Sequence, residues 1–214
     1  NATELSGDSS FYRIAVSHAD KTIENHFRPD YSTWHVVDYD LNKGSVRSKQ
    51  TAQGYADHST WARGQAWAIY GYTVCYRETK DLRYLKQAEK AFDFVVHHPN
   101  FPEDGVPYWD FNAPDIPNAL RDASAGAIMA SALYELSMHT QHKGYKKWAD
   151  KIMASLASPK YRSEIGDNGN FLLKHCVGSI PHGSEIDVPL SYADYYFLEA
   201  LKRKRDIERD GYFR

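Results

Sequence analysis

The chain has 214 residues, 42% of them hydrophobic and 25% charged, which is enough to bury one sizeable core. Its formal net charge is −2 and its Lys and Arg are scattered, so the basic footprint of a nucleic-acid partner is missing and an acidic ligand has to be met by local cations. Mean hydropathy is −0.64 and no apolar run approaches the ~18 residues of a membrane span, so no membrane partner is expected.

In chain order, residues 1–5 read as the tail of an earlier helix. Apolar residues at three- and four-residue spacing then predict helices over 11–27, 60–79, 82–98, 123–140, 145–157 and 190–206. Short extended segments are expected at 34–38 and 171–174, with turns punctuated by Pro29, Gly54, Pro99, Gly105, Pro114, Pro117, Gly178 and Pro181. Three helix starts can be aligned, Phe11-Tyr-Arg-Ile-Ala15, Tyr84-Leu-Lys-Gln-Ala88 and Tyr145-Lys-Lys-Trp-Ala149. They describe a repeated helical hairpin with a period of roughly 60 to 75 residues, longer than the common helical solenoids. The small-residue runs Ala66-Trp-Ala-Ile-Tyr-Gly71 and Ser124-Ala-Gly-Ala-Ile-Met-Ala-Ser-Ala132 predict enclosed helices, whereas the charged run from Asp81 to Lys90 predicts an exterior one. Alternating enclosed and exterior helices suit one ring of helices inside another, in an all-α domain covering 1–214.

The densest chemical cluster is Gln53-Gly-Tyr-Ala-Asp-His-Ser-Thr-Trp-Ala-Arg-Gly-Gln-Ala-Trp67. Arg63 is suited to a bidentate grip on a carboxylate, and Trp67, four residues on and on the same helix face, offers a stacking surface beside it. The pair fits an acidic sugar. The plainer alternative makes Trp61 and Trp67 core and pairs Arg63 with a structural acid such as Asp57 or Asp122. The aromatic content of 14%, with 16 Tyr and 5 Trp, is open to the same two readings, sugar stacking or helix contacts. Asp122 stands at a helix start and reads as a cap, and Asp194 among its tyrosines as a structural hydrogen-bond acceptor. The adjacent His97 and His98 and the separated Cys75 and Cys176 lack metal-ligand spacing, so neither a metal nor a cofactor is expected, and the thiols are expected free and buried.

The run from Asp57 to Trp67 resembles the signature of the unsaturated glucuronyl hydrolases, glycoside hydrolase family 88. Tyr31-Ser-Thr-Trp-His-Val-Val-Asp38, Pro107-Tyr-Trp-Asp-Phe111, Arg121-Asp-Ala-Ser-Ala-Gly-Ala127 and Ser191-Tyr-Ala-Asp-Tyr-Tyr-Phe-Leu-Glu-Ala200 extend the resemblance over most of the chain. It implies an (α/α)6 toroid, of which this chain is expected to supply roughly the C-terminal half, with the N-terminal half of the same protein as its partner. It also implies removal of a terminal 4,5-unsaturated uronic acid from oligosaccharides left by polysaccharide lyases. In that chemistry an Asp protonates C4 of the vinyl ether and helps deliver water to C5, after which the hemiketal collapses and releases the aglycone; the carboxyl needs a raised pKa.

By position, His35 resembles the family's active-site histidine, and Gln53, Arg63 and Trp67 its sugar-binding residues. No catalytic residue is expected in this chain. Ala2-Thr-Glu-Leu-Ser-Gly-Asp8 resembles the stretch that closes the helix bearing the acid, which places that Asp upstream of Asn1. Glu185 and Asp187 are expected in a loop bordering the aglycone subsite. The alternatives are an unsaturated rhamnogalacturonyl hydrolase, which shares toroid and chemistry, and a non-catalytic glycan-binding fragment. The resemblance leaves localisation open between bacterial cytoplasm and periplasm.

Overall fold

The computed structural model describes residues 2–140 and 142–211. Seven α-helices, two β-hairpins and a 3-10 turn at Asn168–Asn170 are present among them: α1 (Ala2–Ser6), α2 (Ser10–His26), β1 (Val36–Tyr39), β2 (Val46–Gln50), α3 (Ala62–Thr79), α4 (Leu82–His97), α5 (Ala123–His139), α6 (Gly144–Leu156), β3 (Cys176–Ser179), β4 (Ser184–Val188) and α7 (Ser191–Asp210). The expected tail of an earlier helix is α1, Asn1 lying outside the described residues.

Local chemistry explains the helix limits. The Asp81 side chain caps α4 by accepting from the Arg83 N–H, and Asp122 caps α5 by accepting from the Ser124 N–H. Lys80 after α3 and Gly211 after α7 take left-handed backbone angles, and their N–H groups close onto the carbonyls of Tyr76 and Ile207. Helix α7 runs on to Asp210 rather than stopping at 206, because its charged last turns are bridged by Lys202 to Asp206 at 2.7 Å before the glycine ends it.

α4 buries Tyr84, Leu85, Ala88, Ala91, Phe92 and Val95 on one face and leaves Lys86 and Lys90 outside. α5 is buried on every side from Ala123 through Leu136, since its Ala, Gly and Ser positions admit neighbours all round. The packing order runs α2, α3, α5, α7, with α4 set against α3 and α6 against α5. Enclosed α5 and amphipathic α4 follow the expected alternation; α3 encloses one face only, with Ala66 and Ile69 buried and Ala68, Tyr70 and Gly71 half-buried. The two ends of the row carry apolar side chains facing outward, Phe11 and Ile14 on α2 and Tyr195 and Leu198 on α7.

The strands are short. β1 and β2 pair antiparallel with a bulge at Asp38/Tyr39, around a turn in which Asp40 Oδ1 accepts from the N–H groups of Asn42 and Lys43. The predicted extended segment at 34–38 thus continues into a hairpin, while that at 171–174 contributes a single bridge, Leu173 to Arg162. The segment expected as a loop around Glu185 and Asp187 is strand β4, paired with β3. Both residues have φ near 54°, the left-handed region, so the alternation that marks a strand is broken.

Candidate functional site

The site is built on the turn between β2 and α3. The Thr51 N–H donates to Asp57 Oδ1 at 2.9 Å, the Gly54 N–H to Thr51 Oγ1 at 2.8 Å and the Tyr55 N–H to Asp110 Oδ2 at 2.9 Å. A Cβ on Gly54 would lie 2.5 Å from Thr51 Oγ1 and 3.0 Å from Asp110 Oδ2, so only glycine fits there. The turn aims the N–H groups of Ala52 and Gln53 at His35 Nδ1, each at 3.2 Å. Nδ1 is therefore an acceptor, and the imidazole hydrogen sits on Nε2. Burial, reinforced by the charge of Arg63, lowers the His35 pKa to about 4, which keeps the ring neutral near pH 7.

The His35 ring stacks on Trp61 at a centroid distance of 4.1 Å and 27° between planes. The Arg63 guanidinium carbon lies 4.5 Å from the same indole. Arg63 itself is 3% exposed. It forms an ion pair with Asp122 at 2.8 Å and donates to the carbonyls of Val177 and Gly178 and to Ser124 Oγ. The alternative partner from the sequence, Asp122, is the one realised, and it shares the Arg63 Nη groups with Ser124 and the two carbonyls. Gln53 Nε2 donates to the Gly178 carbonyl at 2.8 Å, the same carbonyl Arg63 holds. Together they staple the 51–55 turn and α3 to strand β3.

His35 and Trp67 border one cavity of about 470 Å³ between α2 and α3, alongside Trp34 and Trp61. Gln53 and Arg63 stand behind it and do not line it. Trp67 meets the edges of Tyr70 at 6.3 Å and Tyr196 at 5.1 Å, and the Tyr70 hydroxyl donates to Glu199 at 3.2 Å. No carboxylate lines the cavity among the described residues, nor do those residues hold a cluster of three potential metal ligands. Away from the site, the thiols are free, Cys176 buried and Cys75 half-buried. Asp194 accepts from the backbone N–H groups of Leu172 and Leu173 instead of from its neighbouring tyrosines. Sequence reasoning missed Trp34 and the stacking role of Trp61; their signal was that both sit inside the family-like motifs next to His35 and Arg63.

No family model matches the chain. An unsaturated glucuronyl hydrolase of Formosa agariphila is 52% identical over 206 residues, covering 96% of this chain and 52% of that protein. The chain is a homologue of the unsaturated glucuronyl hydrolases. A crystal structure of an unsaturated glucuronyl hydrolase specific for heparin matches with a TM-score of 0.96 at 44% identity, over 97% of this chain and 56% of that one. A mutant unsaturated glucuronyl hydrolase of Streptococcus agalactiae, complexed with dGlcA-GalNAc6S, matches with a TM-score of 0.82 at 33% identity, over 95% of this chain and 54% of that one. This glucuronyl hydrolase homologue spans about half the length of the curated relatives it matches.

Proposed function

We propose that the chain is the C-terminal part of an unsaturated glucuronyl hydrolase of the (α/α)6 toroid type, and that residues 1–214 form one structural unit of it. The whole enzyme removes a terminal 4,5-unsaturated uronic acid from glycosaminoglycan-derived oligosaccharides by hydrating the vinyl ether. The observation that carries this reading is a neutral, donor-bearing His35 lining the same cavity as the Trp67 ring, with no carboxylate beside them among the described residues. Such a wall can bind and orient an acidic sugar, through Nε2–H and ring stacking, without repelling its carboxylate. In this reading the Asp that protonates carbon is supplied by the N-terminal half of the enzyme.

The groove itself favours that arrangement. Ala15, Ala19, Thr22 and His26 of α2 face Gly64, Ala68, Gly71 and Cys75 of α3, each set spaced i, i+4, i+7, i+11. Two such stripes accept a third helix at close approach. A second cavity, lined by α1, shares Ala15, Ala19 and Cys75 with the first, and in this reading the helix preceding α1 lies along the groove. The outward apolar residues of α2 and α7 are the surfaces on which the N-terminal half would complete the ring. In this arrangement Arg63 and Gln53 brace the wall that meets the sugar.

The test is loss of absorbance of the unsaturated bond when the natural protein carrying this chain meets unsaturated chondroitin, heparin and pectin-derived disaccharides. Turnover of a glycosaminoglycan disaccharide with none of the pectin product is expected. Turnover of the pectin disaccharide alone would assign the rhamnogalacturonyl activity instead, and binding without turnover would leave a glycan-binding protein.

A further inference from the structure

Asp110, in the Tyr108-Trp-Asp-Phe111 stretch, is fully buried yet makes no ion pair among the described residues. Its carboxylate is satisfied by neutral donors: Oδ2 accepts from the Tyr55 N–H at 2.9 Å and the Ser59 hydroxyl at 2.7 Å, and Oδ1 from the Asn112 N–H at 2.9 Å. Enclosing a charge in this way is costly, and a turn needing only shape would be served by a neutral residue. What the charge secures is strong acceptance at one end of the 51–55 turn, whose Ala52 and Gln53 N–H groups converge on His35 Nδ1.

The same segment governs the other surface of the ring. The Ala62 N–H donates to the Trp109 carbonyl at 3.2 Å and the Phe111 N–H to the Thr60 carbonyl at 3.0 Å, which pairs Trp61 with Asp110 as an antiparallel bridge. Trp61 is the surface on which His35 stacks. That bridge is made by backbone groups flanking Trp61 and Asp110, so the Asp110 side chain acts on the edge of the imidazole, through the turn.

We propose that Asp110 is a positioning residue for His35: its carboxylate clamps the turn beside the Trp61 bridge so that the ring holds its hydrogen on Nε2, facing the sugar. The proposal rests on the reading that His35 meets the sugar. Freed from the clamp, Nδ1 loses its two fixed donors, and the ring can carry its hydrogen on either nitrogen.

The experiment uses the natural protein, labelled with ¹⁵N-histidine, in wild-type, Asp110→Asn, Asp110→Ala, Ser59→Ala, His35→Ala and His35→Ala/Asp110→Ala forms. The wild type is expected to show the Nε2–H tautomer at His35, both Asp110 variants a mixture of tautomers, and Ser59→Ala, which keeps two of the three donors, a smaller admixture. Turnover of an unsaturated chondroitin disaccharide is expected to fall by about 10- to 100-fold in kcat for Asp110→Ala, and the double variant to be no slower than His35→Ala within about twofold. An unchanged tautomer in Asp110→Asn, or losses that multiply in the double variant, would overturn the proposal. Should the Asp110 variants fail to fold, an unchanged tautomer in Ser59→Ala overturns it equally. Full turnover by His35→Ala would sink the sugar-contact reading, while the tautomer still decides whether Asp110 positions the ring.

Discussion

Arg63 and Asp122 form an ion pair of 2.8 Å with side chains only 3% and 0% exposed, and it joins the start of α3 to the cap of α5. Asp122 also accepts from the Ser124 N–H and hydroxyl, and Arg63 holds two carbonyls of β3, so one buried pair fixes three elements. Removing either partner strands a charge out of water. Arg63→Ala and Asp122→Ala are each expected to lose about 3–5 kcal/mol of stability. Arg63→Lys should recover little of it, because an ammonium cannot span the carboxylate and both carbonyls. Urea denaturation of the three variants checks this; a loss under about 1 kcal/mol would mean the pair is dispensable.

Much of this architecture is legible in the amino-acid sequence. Three- and four-residue spacing marked the helices to within a residue or two, apart from the last four residues of α7, because burial of one face selects for that pattern, and α5 was recognisable as enclosed by its small residues. The hairpins were harder: Gly178, Pro181 and the left-handed Glu185 and Asp187 conceal the two-residue period of β3 and β4. The site was legible as a cluster of residue types but not as a division of labour. Arg63 meets Asp122 59 positions away, and Gln53 meets Gly178 125 away, and local sequence holds no information on such register. That is why the sequence leaves Arg63 between a sugar clamp and a structural ion pair, and only the fold shows the pair with Asp122.

Gly54 tests the turn directly. Its missing side chain leaves room for Thr51 Oγ1 and Asp110 Oδ2, which an added methyl would meet at 2.5 and 3.0 Å. Gly54→Ala is expected to cost about 1–3 kcal/mol through this overpacking and to lower turnover more than the stability loss explains, since the displaced turn also carries the donors to His35. Comparing its melting temperature with its kcat separates the two; unaltered kinetics would show that the turn tolerates displacement.

The histidines set the response to acid. Burial lowers the pKa of His35 to about 4, with Arg63 adding to the effect, and burial lowers those of His26 and His98 too. A folded-state pKa below the unfolded value of about 6.5 means that the unfolded chain binds the proton first. Stability is therefore expected to be full above about pH 6.5 and to decline as the pH falls towards 4. Measuring unfolding free energy between pH 7.5 and 5, in the natural protein and in His35→Asn, checks this: the substitution should flatten the slope, and an identical slope would mean that His35 titrates normally in the fold.

Gly71 separates an open groove from one that seats a helix. It lies inside α3, where glycine is unfavourable, and nothing stands within 4 Å of where its Cβ would be. In an open groove Gly71→Ala should therefore gain about 0.5–1 kcal/mol from reduced backbone freedom in the unfolded chain, and even Gly71→Leu should be tolerated. If an upstream helix lies along Ala15, Ala19, Ala68 and Cys75 in the natural protein, the outcome reverses for the larger side chain, because close helix approach leaves no room for it. Gly71→Leu is then expected to cost about 1–3 kcal/mol and to displace the proposed acid from His35, lowering turnover along with stability. Equal or higher stability of Gly71→Leu in the natural protein would show the groove to be empty and would remove the structural support for placing the proton donor there.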